Sequence, residues 1–175
     1  RARELERSDE LQFLFGYEEA IGYAFGRIAD DKDGIAALGV LLELVRRLHA
    51  EGRTLRDRLD ELFLRHSLFA TRQLTVARAT GGAHQDLMAR LRALDPSAFL
   101  GAGTSRIDYA REAEAVELLV FRRADGSRLC VRPSGTEPKL KLYLHAGVVV
   151  TGALDEAERA AQHTLDELEA SVHSL

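Results

Sequence analysis

An α/β segment followed by a small α+β domain is the fold class that these 175 residues predict. Three features predict it. An apolar run, Leu11–Phe15, is followed by apolar residues at helical spacing: Ile35, Leu38, Leu41, Leu42, Val45 and Leu48. A strand and a helix covering it read this way. Beyond residue 67, short alternating stretches separated by turn residues take over, as in an antiparallel sheet. A final stripe, Leu154, Ala157, Ala161, Leu165, Leu168 and Val172, marks a long amphipathic helix able to cover that sheet. The expected division is therefore 1–52, the end of a mixed α/β domain; 53–66, a connecting helix; and 67–175, a mainly antiparallel sheet packed with helices.

Taken in order, residues 1–10 read as the tail of a charged helix. Leu11–Phe15 is expected to be a buried strand of the kind found in parallel sheets, ending at Gly16. Asp33 is the expected N-cap of the next helix, with Arg46, Arg47 and His49 in its last turn and Gly52 beyond it. Thr54 caps a second helix that carries Leu55, Leu59, Leu62 and Phe63 on one face. Phe69, Leu74 and Val76 suggest a strand within 67–77, and Gly81-Gly82 break it. Leu87, Leu91 and Leu94 mark a short helix stopped by Asp95-Pro96. Strands are expected at 105–109 and 115–122, with Asp125-Gly126 as a hairpin turn. Two further strands, around Leu129-Cys130-Val131 and Leu140–Leu144, precede the last helix at 152–173.

Composition excludes several classes. Apolar residues make up 46% and charged residues 30%, as in an ordinary globular protein with a core to bury. A formal net charge of −4 and no basic stripe in the linear sequence argue against a nucleic-acid partner. Cys130 is the only cysteine, so no internal disulfide or thiolate metal cluster can form. No apolar run approaches a membrane span and no signal peptide opens the sequence, so a cytoplasmic location with no membrane partner is expected. The opening Arg-Ala-Arg-Glu-Leu-Glu-Arg, without Met, reads as the interior of a longer polypeptide.

Chemistry concentrates in Arg132-Pro-Ser-Gly-Thr-Glu-Pro-Lys139, between the last two predicted strands. Arg132 offers a planar fork of donors that fits a phosphate bidentately. Gly135 can take φ > 0, which turns the N–H groups of Ser134, Gly135 and Thr136 inward as a nest. The Ser134 and Thr136 hydroxyls add donors and Lys139 a second cation, while Pro133 and Pro138 limit the entropy lost on binding. The same residues also suit a plain hairpin turn in which Arg132 pairs with Glu137. It is not a Walker loop, since G-x-x-x-x-G-K-[ST] is absent.

Elsewhere the signals are weaker. Glu18 and Glu19 follow the first apolar run, where open α/β sheets place ligands and where a carboxylate can accept hydrogen bonds from sugar hydroxyls. Asp31-Lys32-Asp33-Gly34 is no calcium loop: aligned on Gly34, it puts Ala29 first and Val40 twelfth, where a bidentate Glu is needed. The histidines at 49, 66, 84, 145, 163 and 173 show no metal-ligand spacing. No nucleophile–base pair stands out, so neither a catalytic residue nor a metal ligand is assigned.

R-P-S-G-T-E-P-K followed by an alternating strand resembles the phosphate-binding loop of the α-D-phosphohexomutases, the phosphoglucomutase/phosphomannomutase family. Tyr17-Glu18-Glu19-Ala20-Ile21-Gly22 is similar to that family's sugar-binding loop, G-E-x-S-[GF], with Ala20 at the family's Ser position and Tyr17 at its Gly. This form looks like the branch whose mutases act on phosphopentoses as well as phosphohexoses. The resemblance covers the end of the third domain and all of the fourth. It implies a TATA-box-binding-protein-like fourth domain, sugar contacts from Glu18, Glu19 and Lys32, and phosphate contacts from Arg132, Ser134, Gly135, Thr136 and Lys139. It also implies that the full-length protein is a phosphosugar isomerase using Mg2+ and a phosphoserine. The family's T-A-S-H-N-P-like serine loop and D-G-D-x-D-R-like metal loop do not occur in this sequence. These residues alone are therefore expected to be inactive, to bind no metal, and to partner a phosphosugar and N-terminal domains of the same protein. A non-catalytic phosphosugar-binding module suits the same residues.

Overall fold

Residues 11–18, 22–26, 29, 31–77, 83–111, 115–134 and 139–174 are described by a computed structural model, and they fall into two units, Arg1–Leu59 and Asp60–Leu175. In the first unit, β1 (Phe15–Glu18) and β2 (Gly22–Phe25) form an antiparallel hairpin, and α1 spans Gly34–Ala50. The Asp33 carboxylate accepts the N–H groups of Ile35 and Ala36 at 2.9 and 3.0 Å, satisfying two donors that a helix start leaves without partners. At the other end Gly52 takes φ +69 and lets Arg53 N–H return to the Leu48 carbonyl at 2.8 Å.

The expected buried strand over 11–15 is corrected. Residues 11–14 carry no regular structure, and Leu14 is 70% exposed. The strand starts at Phe15 and is antiparallel to its partner. Among the described residues its only strand neighbour is β2, so no second layer buries the apolar run. The hairpin instead stacks Phe15 on Phe25 and Tyr17, with ring centroids 5.7 and 6.3 Å apart. The stripe expected on α1 is likewise mostly uncovered: Leu48 is buried, while Ile35 is 86% exposed.

Helix α2 (Leu55–His66) spans the division between the units. It opens with a reciprocal box, Asp57 N–H to Thr54 Oγ1 at 3.2 Å and Thr54 N–H to Asp57 Oδ2 at 2.7 Å.

The second unit follows with β3 (Leu68–Ala77), α3 (Ala83–Ala93), α4 (Pro96–Leu100), β4 (Ser105–Asp108), a 3-10 turn at Tyr109–Arg111, β5 (Leu119–Arg122), β6 (Arg128–Pro133), β7 (Lys139–Val148) and α5 (Leu154–His173). The five strands form one sheet in the order β3-β7-β6-β5-β4, each antiparallel to its neighbour. Alternation decides its two faces. Leu129, Val131, Leu140, Leu142 and Leu144 point to the helix side, each no more than 1% exposed, and pack with Met88 and Leu91 of α3 and Ala161, Leu165 and Leu168 of α5. Each such leucine contributes about 1.5–3 kcal/mol on burial. Gly147 sits opposite Phe69, whose ring would lie 3.1 Å from a β-carbon there, so the ring covers the bare backbone.

Two local expectations change here. Asp95-Pro96 ends α3 but also begins α4, with the Asp95 carboxylate accepting Ser97 N–H at 3.0 Å and Pro96 in the first turn. The strand expected at 115–122 begins only at Leu119. Before it, Val116 N–H bonds back to Tyr109 O (3.2 Å) and Tyr109 N–H to Leu118 O (2.9 Å), which draws residues 116–118 alongside Tyr109.

Candidate functional site

The β6–β7 hairpin frames the loop that the sequence singled out. Pro133 opposite Leu140 is the last strand pair, and beyond it Ser134 N–H donates to the Lys139 carbonyl at 2.8 Å. That bond closes the neck of the loop. Gly135, Thr136, Glu137 and Pro138 lie outside the described residues, so the Arg132–Glu137 pair that a plain turn would make lies outside them too. Arg132 follows inward-facing Val131 and therefore projects from the face opposite the helices, directly across from Lys141 of β7. Its side chain is exposed, and no ion pair to it is found among the described residues. Ser134 and Lys139 are half-buried at the neck. The hairpin thus brings Arg132, Ser134 and Lys139 to one strand end, with Lys141 beside them. Sequence reasoning missed Lys141, although its place two residues after Lys139 puts it on the same face.

In the first unit a second cluster forms at the β1–β2 turn. The Lys32 ammonium lies 3.5 Å from Glu18 Oε2 and 3.7 Å from Asp31 Oδ1. The Asp31 carboxyl is held below the ordinary carboxylate range, first by the Lys32 backbone N–H it accepts at 2.7 Å and then by the Lys32 charge. Asp33 N–H to Tyr23 O at 2.8 Å fixes the approach of this segment to β2. Lys32 reaches Glu18 by crossing over Gly22, where a β-carbon would stand 2.3 Å from Lys32 Cδ. Gly22 is the second residue the sequence reading passed over; its signal was its place in the Tyr-Glu-Glu-Ala-Ile-Gly stretch. Glu18 and Lys32 are brought together, whereas Glu19 and Ala20 lie outside the described residues. A carboxylate acceptor beside an ammonium donor, both exposed, is a pair suited to neighbouring hydroxyls of a polyol.

Among the described residues no three His, Cys, Asp or Glu side chains converge as a metal site. The Mg2+ that the resemblance implies does not fit them, and no step is derived through it. No described helix is long and apolar enough to cross a membrane.

Residues 3–66 match the family model for phosphoglucomutase/phosphomannomutase alpha/beta/alpha domain III, and residues 79–161 match the phosphoglucomutase/phosphomannomutase C-terminal domain. The chain belongs to the phosphoglucomutase/phosphomannomutase family. The Arg132–Lys139 loop falls inside the C-terminal-domain match, and Glu18 and Lys32 inside the domain III match. A probable phosphomannomutase of Haemophilus influenzae is 39% identical over 135 residues, which is 76% of this chain and 28% of that protein. A probable phosphoribomutase of Schizosaccharomyces pombe is 27% identical over 167 residues, or 83% of this chain and 28% of the other. The fold is similar to the open form of pp63/parafusin, an exocytosis-sensitive phosphoprotein and phosphoglucomutase from Paramecium. The TM-score is 0.56 at 18% identity, over 87% of this chain and 29% of that one. The chain therefore spans under a third of the length of the phosphoglucomutase/phosphomannomutase relatives it matches. The fold class expected from the sequence is the one found, an antiparallel sheet with helices on one face, as in the family's C-terminal domain.

Proposed function

We propose that this chain supplies the phosphate grip and part of the sugar-contacting surface of a phosphosugar mutase. In that reaction a phosphoserine on another part of the protein gives its phosphoryl group to a sugar monophosphate. The resulting bisphosphate turns over, and its other phosphate returns to the serine. The observation that carries the reading is the closed neck of the β6–β7 hairpin, which presents Arg132, Ser134 and Lys139 together on one strand end. The Ser134 N–H already donates to the Lys139 carbonyl, so the backbone N–H groups of Gly135 and Thr136, the Ser134 and Thr136 hydroxyls, Arg132 and Lys139 hold the phosphate that is not reacting. A grip of this kind reads the phosphate and not the sugar, so it accepts both orientations of the intermediate. Glu18 accepts from sugar hydroxyls, and Lys32 and Glu19 complete that contact. The Mg2+ of the reaction belongs to residues outside this sequence.

The domain reading is part of the same proposal: 1–52 closes a sugar-binding α/β domain, 53–66 connects, and 67–175 binds phosphate. The uncovered stripe of α1, with Ile35 86% and Leu42 58% exposed, supports it as the face on which the remainder of such a domain packs. We place the enzyme in the cytoplasm, with a phosphohexose or phosphopentose as substrate and the N-terminal domains of the same protein as its partner.

The test is Arg132→Ala in the full-length enzyme. Loss of a charge-assisted contact of about 1.5–3 kcal/mol predicts a rise in KM for the sugar phosphate of about ten- to a hundredfold. An unchanged KM and kcat would falsify the assignment. Because this sequence holds neither the serine loop nor the aspartate loop, a non-catalytic phosphosugar-binding module remains the second reading. Full-length protein that binds sugar phosphate through Arg132 without turning it over would establish that reading instead.

A further inference from the structure

The sheet sorts its charge by face. Asp108 is the one acidic residue in the five strands, and it lies on the helix side, 3.1 Å from Arg92 of α3. Arg72 and Arg106, the strand arginines on that side, are also held, Arg72 by Asp166 and Glu169 and Arg106 by the carbonyls of Leu91 and Leu94. No strand residue on the opposite face is acidic. There the register sets one row across all five strands: Thr71, His145, Arg128, Arg122 and Ser105. Every side chain in that row can donate a hydrogen bond. Arg122 and Arg128 are exposed and stand directly opposite each other. Neither has an ion-pair partner among the described residues, and like charges directly opposite in a sheet repel. The linear sequence hid the row, because its five members lie on five different strands.

This row is separate from the loop at residues 132–139. Arg128 and Arg132 are four residues apart on β6, about 13 Å at about 3.3 Å per residue. The row between them, Gln73, Tyr143, Cys130, Val120 and Ile107, carries no formal charge, and Val120 is buried. We propose that Arg122 and Arg128 form a second phosphate site, which takes one dianionic phosphate group of a small molecule and plays no part in gripping the substrate. Adjacent strands lie about 4.8 Å apart, so a dianion seated between the two guanidiniums meets a fork of donors from each side. Its two negative charges offset the two positive ones and remove the repulsion. Ser105 and His145 stand one strand further out on either flank, where a hydroxyl and an imidazole add donors. The paired arginines occupy two neighbouring strands, a footprint that suits one phosphate and not an extended polyanion. The site rests on register and charge, not on the phosphosugar reading above.

The test follows the arginine Nε–H and backbone amide resonances of the 175-residue chain by nuclear magnetic resonance at low salt. The chain is titrated with inorganic phosphate and, at matched ionic strength, with chloride. Phosphate is expected to shift Arg122 and Arg128, and chloride to leave them in place. Arg128→Gln should weaken phosphate binding at Arg122 by about tenfold or more, through loss of a charge-assisted contact. It should leave any phosphate shifts at Ser134 and Lys139 unchanged, and Arg132→Ala should leave those at Arg122 and Arg128 unchanged. Without ligand, Arg128→Gln should raise the thermal midpoint by about 1–3 °C at low salt, because it relieves repulsion. Equal shifts in phosphate and chloride, phosphate affinity unaltered by Arg128→Gln, or a midpoint that does not rise in that variant overturns the inference. Loss of the Arg122 shifts in Arg132→Ala does so too, since it would make the two groups one site. Heparin or a single-stranded oligonucleotide binding far more tightly than phosphate, with a salt dependence of many charges, would make the face a polyanion surface and also overturn it. None of these failures touches the mutase reading, which is judged by Arg132→Ala in the full-length enzyme.

Discussion

Gly22 matters for what passes over it. The Lys32 side chain crosses that backbone to reach Glu18, and a β-carbon 2.3 Å from Lys32 Cδ leaves it no room. Gly22→Ala is therefore expected to turn Lys32 away from Glu18 while α1 keeps its Asp33 cap. In the full-length enzyme this should appear as a rise of about tenfold in KM for the sugar phosphate, the loss of one charge-assisted contact, with α1 unchanged by circular dichroism. An unchanged KM would mean that the Glu18–Lys32 pair is not a sugar contact. At Arg132, replacement by Lys keeps the charge but loses the two-pronged fork, so Arg132→Lys should fall between wild type and Arg132→Ala in KM. The residues proposed to grip phosphate stood out in the sequence because they are contiguous. Gly22 did not, because the side chain that requires it comes from ten residues downstream.

Among the elements, the caps were the most legible. Asp33 and Thr54 were assigned from local chemistry alone, and both make the expected hydrogen bonds. Asp33→Ala should cost about 1 kcal/mol, read as earlier loss of α1 in thermal unfolding followed by amide exchange. Helix α5 buries the stripe that its sequence shows, and it is also tied to β3 through Arg72. The Glu169 carboxyl lies below its ordinary range, chiefly because it accepts from Arg72. Its pKa is depressed on folding, so the contribution is full above the ordinary glutamate range and is lost as pH falls through the lowered value. Arg72→Ala should lower the thermal midpoint at neutral pH, and the difference from wild type should shrink below about pH 4. A difference that stays constant down to pH 2 would exclude this ion pair as its source. Helix α4 escaped the sequence reading because five residues are too few to show a period. The apolar alternation of Val116 and Leu118 suggested a strand, but their backbones turn back to Tyr109 instead.

Across the whole chain the two units differ in what they bury. The second holds a continuous core from Leu68 to Val172, whereas in the first only Leu48 among the described large apolar residues is buried. Amides of β6, β7 and α5 should therefore exchange orders of magnitude more slowly than those of α1 at neutral pH. Comparable rates in α1 and β7 would contradict that difference. The class of the second unit was legible from its alternating stretches. Its strand order was not, because β3 pairs with β7 across more than sixty intervening residues and local pattern carries no such information. That order has a mechanical consequence. The hairpin bearing the Arg132–Lys139 loop is built from two interior strands, β6 and β7, flanked by β5 and β3. A pull on a held phosphate along the strands loads hydrogen bonds on both sides in shear, and no edge is free to peel away. Any motion of this unit would then carry the phosphate with it as a stiff handle.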